Sequence, residues 1–335
     1  MLYNQLNILT QKLNLYLSTL LLGSLIIYGG GISTFAKSQK DIKLKRNLSN
    51  SQKVKKAIQN IDRLDPQKPT KKVLKLDDLG NHKDSLVNIN SENSNIEITN
   101  KKGKVKFKIP LNLNAQNFEV LDNKIIYPGD KAQSTIELID GGVRQVINIE
   151  SKDASNFYEF PINLEDGQSI SLNEDGSASV KNRSGDSIIF IVKPWARDND
   201  NKELKTWYEI TTTGIKQIID FSDATFPVIA DPTWCGDAIN YVTWISRSGE
   251  WSASNKATWC GYWHCGGVWN CWQESYDKTP SHSAWNKQWN TNQYWSMYNQ
   301  FMCHADIAKG AKWEWNLEPA KADKGYSGFV NSWCN

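Results

Sequence analysis

The sequence predicts a mainly β protein, in which an antiparallel β-sandwich-like domain precedes a small disulfide-rich, Trp-rich α+β domain. Two observations carry this prediction. Residues 91–233 contain short alternating apolar runs separated by turn residues, which is typical of antiparallel strands. All six cysteines and thirteen of the fifteen tryptophans lie at or after Trp234, so the composition changes sharply there.

The β prediction is clearest in two segments. Ile96 and Ile98 alternate with polar residues before the turn sequence at 101–103, and Val105, Phe107 and Ile109 alternate after it, which predicts a two-stranded hairpin. Residues 160–192 repeat the pattern in four short runs separated by Asp-Gly and Ser-Gly-Asp turns. No long helical period interrupts these runs, so a sandwich or meander follows.

The N-terminus predicts export. An apolar run over residues 15–28 follows a single basic residue, Lys12, and Thr34 and Ala36 are small residues at the positions that signal peptidase requires. The run is shorter than the roughly 20 residues of a membrane span. We therefore expect residues 1–36 to be a signal peptide, with no transmembrane span in the mature chain; an uncleaved anchor is the alternative.

Residues 37–90 are expected to form a basic disordered arm or propeptide. Residues 37–75 hold thirteen Lys or Arg against three Asp and no aromatic residue. Such an arm can contact an anionic polymer by charge alone, or act as a solvated linker. The remaining chain is net acidic, which argues against specific nucleic-acid binding.

Export changes the interpretation of the cysteines. An even number in a short exported segment predicts a disulfide framework formed by Cys235, Cys260, Cys265, Cys271, Cys303 and Cys334. A zinc site that uses His264 is the alternative, but the spacing lacks the paired C-x2-C of structural zinc sites. Spacing alone does not choose among the fifteen possible pairings. We expect no metal and no cofactor.

The stretch WCGYWHCGGVWNCW holds four tryptophans among glycines and cysteines. A domain of about 100 residues has a limited core, so we expect some indole rings to face solvent and bind a ligand. The candidates are Trp259, Trp263, Trp269 and Trp272. The competing hypothesis is that these rings pack on the disulfides as core.

Residues 285–307 repeat aromatic and apolar side chains every three to five positions, which predicts an amphipathic helix. His304 and Asp306 lie near its end. With Glu318 they are the candidates for acid–base catalysis on a polymer. Recognised catalytic motifs are missing around them, so we name no confident catalytic residue.

Two patterns resemble sequences of known secreted proteins. Residues 193–198 (KPWARD), 206–208 (TWY) and 224–234 (ATFPVIADPTW) resemble a "PWA-D … YPV-ADP-W" β region that occurs in secreted proteins of Gram-positive bacteria. The resemblance covers about residues 150–234. It implies an export-associated β scaffold and no known chemistry.

The C-terminus is similar to a domain of unknown function in secreted proteins of actinobacteria and Firmicutes. The matching pattern is "QF-CH … W-NLEP … GY … CN", read from residues 300–304, 313–319, 325–326 and 334–335. The resemblance implies no established activity. It does imply that Cys303 and Cys334 pair.

The sequence thus predicts a signal peptide over 1–36, an arm over 37–90, a β-rich domain over 91–233 and a Cys/Trp-rich domain over 234–335. The favoured function is a secreted, extracellular and non-catalytic module that binds a cell-wall glycan or a surface protein. Two alternatives stay open: a secreted hydrolase of wall polymer, and a secreted toxin or bacteriocin whose C-terminal domain is the active part.

Overall fold

A computed structural model of the chain describes residues 52–65, 76–77, 82–83, 86–113, 118–247, 249–265, 269–307 and 312–334. The chain divides into two compact units, Met1–Lys53 and Val54–Asn335. Nearly all of the first unit, including the expected signal peptide, lies outside the described residues. The architecture below is that of the second unit.

The fold is mainly antiparallel β, as the sequence predicts. The strands are β1 (His82–Lys83), β2 (Val87–Asn90), β3 (Asn95–Asn100), β4 (Gly103–Lys108), β5 (Glu119–Leu121), β6 (Lys124–Tyr127), β7 (Ala132–Ile139), β8 (Gly142–Ile149), β9 (Phe157–Asn163), β10 (Ser169–Leu172), β11 (Ala178–Lys181), β12 (Ser187–Ile191), β13 (Trp195–Arg197), β14 (Thr206–Ile210), β15 (Gly214–Ile219), β16 (Val228–Asp231), β17 (Thr233–Cys235), β18 (Ile239–Arg247), β19 (Glu250–Ala257) and β20 (Glu314–Leu317). The helices are α1 (52–64), α2 (Trp259–His264), α3 (Trp269–Lys278), α4 (Asn292–Ile307) and α5 (Gly325–Asn331).

Two sheets form the sandwich. Among the described strands, a seven-stranded sheet has the order β1-β2-β3-β4-β9-β15-β14, and a ten-stranded sheet has the order β10-β11-β12-β17-β8-β7-β6-β5, with β16 beside β8 and β13 beside β16. The predicted hairpin is confirmed as β3–β4, closed by the pair Asn100 and Gly103. The later Asp-Gly and Ser-Gly-Asp turns also join successive strands, β9 to β12.

Both sheets contribute to one core. Phe107 of the seven-stranded sheet stacks on Trp234 of the ten-stranded sheet, with ring centroids 4.0 Å apart. Phe160 meets the same indole edge-on. The N–H of Trp234 donates to Gln145 Oε1 over 2.8 Å, so its one polar group is satisfied inside the core.

Helix α1 covers the outer face of the ten-stranded sheet. Ile61 and Leu64 pack against Val146 and Ile229 in one apolar cluster, and a neighbouring cluster joins Val54, Ile58 and Ile126. The expectation of a disordered arm over 37–90 is therefore wrong for residues 52–64, because residues 54, 57, 58, 61 and 64 give α1 a buried apolar stripe at helical spacing. Strands β1 and β2 of the same range join the seven-stranded sheet.

A buried ionic network lies on this outer face. The guanidinium of Arg144 is fully buried and contacts Asp65 at 2.8 Å, Asp231 at 3.0 Å and Glu137 at 3.4 Å. It also lies 5.4 Å from the ring centroid of Trp259. Burial alone would lower the pKa of Arg144, but the three carboxylates raise it above its ordinary value. The network joins α1, the sandwich and the start of the C-terminal region.

The region that follows β17, which we call the tail, has a sheet and a core of its own. Its three strands have the order β18-β19-β20. Helices α2, α3 and α4 supply most of the remaining core, which is rich in aromatic rings around Trp272. A disulfide from Cys235 of β17 to Cys260 of α2 connects the sandwich to the tail.

The predicted helix over residues 285–307 begins seven residues later than expected. Thr291 ends the preceding loop, and its hydroxyl accepts the N–H of Tyr294 over 3.1 Å, which is how a side chain caps a helix N-terminus. Lys287 and Asn290 have left-handed backbone conformations, with φ of 54° and 58°, that are incompatible with a continuous helix. Residues 285–291 therefore form a loop that carries Trp285 and Trp289.

Candidate functional site

Two of the four tryptophans proposed as ligand contacts are buried. Trp259 and Trp272 are 1% and 0% exposed and Trp263 is half-buried, while the side chain of Trp269 lies outside the described part of the structure. The N–H of Trp272 donates to the hydroxyl of Tyr294 over 2.8 Å. The burial of Trp259 and Trp272 differs from the expectation that they contact a ligand. Tertiary neighbours cover these two rings, as in the competing core hypothesis.

The six cysteines form three disulfides, Cys235–Cys260, Cys265–Cys271 and Cys303–Cys334. The third is the pair that the C-terminal resemblance implies, and it ties α4 to the segment after α5. The second connects the end of α2 to α3. Among the described residues, no group of three or more His, Cys, Asp or Glu side chains could hold a metal ion.

The three catalytic candidates are held in structural contacts. His304 Nε2 lies 3.2 Å from the carbonyl oxygen of Asn316, so the neutral ring donates from Nε2. Glu318 accepts the hydroxyl hydrogen of Ser252 over 2.9 Å, and Asp306 accepts that of Tyr326 over 2.8 Å. Within the described part of the chain, His304 shares no hydrogen bond with either carboxylate.

Gln300 and His304 together attach α4 to the segment that follows it. Gln300 Nε2 donates to the carbonyl of Glu318 over 3.0 Å, and its Oε1 accepts the N–H of the same residue over 2.9 Å. His304 is one helical turn further along and bonds Asn316. The Gln-x2-Cys-His motif of α4 and the Asn-Leu-Glu-Pro motif at the end of β20 are thus held together by these hydrogen bonds.

The pKa of His304 agrees with a structural role as a neutral hydrogen-bond donor to Asn316. Burial lowers the pKa of its imidazole to about 4, with Lys312 and Lys321 adding to the effect against the hydrogen bond to Asn316. Nδ1 is buried and has no hydrogen-bond partner within the described residues. A proton on Nδ1 would therefore be a buried charge without an acceptor, and the ring is neutral at physiological pH.

A cleft of about 570 Å³ lies between the sandwich and the tail. Three of its charged groups are paired with one another, since Lys278 Nζ contacts Glu274 at 2.7 Å and Asp237 at 3.2 Å. Lys101, Lys102 and Asp277 also line the cleft. The carboxylate of Glu274 also accepts the N–H groups of Ala238 and Ile239. This network anchors α3 to the start of β18 and leaves little of that charge for a ligand.

An exposed aromatic surface lies elsewhere, on the β18–β19 hairpin. Trp244 and Trp251 lie on the same face of the hairpin, because Trp244 pairs with Ala253 and Trp251 with Ser246. The ring of His282 contacts both indoles, with centroids 4.6 Å from Trp244 and 4.5 Å from Trp251. We call Trp244, Trp251 and His282 the aromatic platform.

The platform is held in place but open to solvent. The N–H of Trp244 donates to the carbonyl of Pro280 over 2.9 Å, which fixes the half-buried ring. Trp251 is 43% exposed, and its N–H has no protein acceptor among the described residues. His282 Nδ1 accepts the N–H of Ala284 over 3.1 Å, which leaves Nε2 as the donor of the neutral ring.

A polar concavity of about 370 Å³ adjoins His282. Trp285 forms its buried apolar part, and the other lining residues are Ser281, His282, Ser283, Asn286 and Lys287. The platform and concavity together combine flat rings with hydroxyl, amide and N–H groups. That combination can stack a ring on one side and hydrogen-bond it on the other.

This site was not among those predicted from the sequence. Its signal was the alternation around Gly249 in YVTWISRSGEWSAS, which places two tryptophans near a turn at positions compatible with one face of a hairpin. His282 could not be assigned to the site from sequence, because its contacts with the hairpin depend on the tertiary fold.

Within the described residues, no helix is both long and apolar enough to span a bilayer.

Comparison with known proteins gives a match to one family, and that family has no known activity. No curated protein and no solved structure matches the chain. Residues 270–335, which include all of α3 except its first residue, α4 with Gln300 and His304, and the third disulfide, match the family described as "Protein of unknown function (DUF2599)".

Proposed function

We propose that the protein is a non-catalytic binding module that uses the aromatic platform to hold a glycan of the cell envelope. The observation that carries the proposal is the contact of one half-buried imidazole with two tryptophan rings on an exposed hairpin face. Sugar rings have one apolar face of C–H groups and a periphery of hydroxyls. An indole face beside polar groups complements both.

The local chemistry favours a neutral ligand. The loop 281–291 carries Lys287 as its one side chain with a permanent charge, and the ammonium group of Lys287 donates to the carbonyl of Thr279 over 2.9 Å. The polar groups that remain are hydroxyls, amides and ring N–H donors. These groups hydrogen-bond neutral hydroxyls without the desolvation penalty that a buried ion pair carries.

Binding is favoured over hydrolysis because the three catalytic candidates of the tail form other contacts. His304 donates to Asn316, Glu318 accepts from Ser252, and Asp306 accepts from Tyr326. A general base must reach the proton it removes, and none of these groups is part of the platform. The platform itself holds two indoles and an imidazole, with no carboxylate.

We also propose an extracellular location. Three disulfides join the six cysteines of the tail, which is typical of proteins that fold in oxidising compartments. The signal-peptide pattern over residues 1–36 supports the same location. The Lys-rich residues 37–51 would then add a charge-based contact with anionic envelope polymers.

The test is co-sedimentation of the oxidised full chain with insoluble, protein-free Gram-positive cell walls. Trp251→Ala removes the exposed platform ring, and Trp207→Ala is the matched control because Trp207 is a comparably exposed indole on the sandwich, at 38%. We expect Trp251→Ala to weaken binding about tenfold and Trp207→Ala to leave it unchanged. Equal binding by the wild type and both variants would refute the proposal that the aromatic platform binds the glycan. Release of soluble sugar or peptide would refute the non-catalytic assignment.

A further inference from the structure

A second exposed aromatic cluster lies at the start of α4. Trp289 is 55% exposed, and its ring centroid lies 4.6 Å from that of Tyr294 and 6.5 Å from that of Trp295. Trp295 and Tyr298 are half-buried, with centroids 5.6 Å apart in an edge-to-face arrangement. We call Trp289, Trp295 and Tyr298 the second cluster.

The backbone on either side of Trp289 adopts the left-handed conformation at two residues. Lys287 and Asn290 flank it with φ of 54° and 58°, although neither is a glycine. The left-handed conformation is unfavourable for residues with a side chain, and such residues concentrate at functional positions. The strained segment carries an exposed indole rather than burying one.

Side-chain contacts hold this strained segment in one conformation. Asn290 Oδ1 accepts the N–H of Trp295 over 2.9 Å, which fixes the second ring of the cluster. The hydroxyl of Tyr276 donates to the carbonyl of Lys287. The second cluster is therefore preorganised, and a ligand that stacks on it does not have to order the loop first.

One loop connects the second cluster to the aromatic platform. His282 of the platform and Trp289 are seven residues apart, so their Cα atoms lie within about 25 Å of each other. Between them, Trp285 is buried against Tyr276 and Trp272, with centroids 5.5 Å and 6.3 Å away. The polar concavity with Ser283 and Asn286 also lies on this loop. Both aromatic surfaces thus rest on the same buried core.

We infer that the second cluster is a second subsite and that the ligand is a neutral polysaccharide chain long enough to occupy both aromatic surfaces. This inference rests on the proposed function. A polymer of repeating rings can place one ring on each aromatic surface while its hydroxyls contact the hydroxyl and amide groups of Ser283 and Asn286 on the loop between them. Linking two weak contacts in one ligand raises the affinity far above that of either contact alone.

The test uses a neutral β-1,4-linked N-acetylglucosamine glycan, as long soluble strands and as the disaccharide, titrated into the oxidised full chain by calorimetry. We expect the wild type to bind long strands at least tenfold more tightly than disaccharides. Trp289→Ala should weaken long-strand binding about tenfold and leave the disaccharide affinity unchanged. Trp251→Ala should weaken both, and Trp207→Ala neither.

The outcomes separate the two proposals. If Trp289→Ala binds long strands as tightly as the wild type does while Trp251→Ala binds them weakly, the second subsite is refuted and the platform stands. If the wild type binds neither strand length, both proposals fail for this polymer class. Circular dichroism spectra identical to the wild type's would show that each variant is folded.

Discussion

Acidification should destabilise the tail through His304. The imidazole is 3% exposed, and its pKa in the folded protein is about 4. In the unfolded chain the same group titrates near 6.5. As the pH falls through 6.5, the unfolded chain binds a proton and the folded protein does not. Stability is therefore complete above about pH 6.5 and is lost progressively as the pH falls towards about 4.

The size of the loss follows from the gap between the two pKa values. Each pH unit in which only the unfolded chain is protonated costs about 1.4 kcal/mol, so acidification from about pH 7 to about pH 4.5 removes about 2 kcal/mol. Other groups titrate in the same range. A variant that keeps the hydrogen bond to Asn316 and does not titrate isolates the contribution of His304, and His304→Gln supplies an amide N–H near the position of Nε2.

The assay is denaturant unfolding of the oxidised protein, followed by tryptophan fluorescence at several pH values. We expect the free energy of unfolding of the wild type to fall about 2 kcal/mol further than that of His304→Gln over this range. Equal pH dependence in the two proteins would show that His304 is not buried as a neutral donor. A larger loss in His304→Gln would reverse the sign of the effect and refute the reasoning.

Three further changes probe the scaffold by the same unfolding assay. Replacing Cys303 and Cys334 by alanine opens a loop with a sequence separation of 31 and should cost about 3–4 kcal/mol; an unchanged midpoint would contradict a stabilising third disulfide. Arg144→Ala removes the counter-ion shared by three buried carboxylates, of which Glu137 keeps its contact with Lys124, and should cost about 3–5 kcal/mol; a loss below about 1 kcal/mol would mean that the network is not buried. Trp272→Ala should cost about 3–5 kcal/mol, whereas Trp251→Ala should cost less than about 1 kcal/mol, and similar losses would contradict their different exposure.

The sandwich was predictable because its signals are local. Alternation on either side of residues 101–103 is enough to predict β3 and β4, since the side-chain period of a strand is visible in a few residues. What the sequence did not predict is that β7 and β8 are buried on both faces. That burial depends on α1, whose apolar stripe lies in a segment whose Lys-rich composition predicted disorder.

The binding surface was not predictable in the same way. The density of tryptophan correctly indicated an aromatic tail, but which rings are exposed depends on contacts between distant elements. Trp259 is covered because Arg144 and the sandwich lie against it, and Trp272 because α4 supplies Tyr294 and Phe301. Trp244 and Trp251 lie in a sequence pattern that predicts only a hairpin. Both residues are more than thirty positions away from His282 in the sequence, so their contact with it depends on the tertiary fold.

The most direct test of the platform is a spectrum of the indole N–H groups in protein labelled with ¹⁵N-tryptophan, recorded before and after adding soluble strands of the neutral N-acetylglucosamine glycan. Single Trp→Phe variants assign the signals. We expect the signals of Trp244 and Trp251 to shift while those of the buried Trp272 and of the exposed Trp207 stay in place. Unmoved platform signals, or a shift at Trp207 instead, would contradict this expectation.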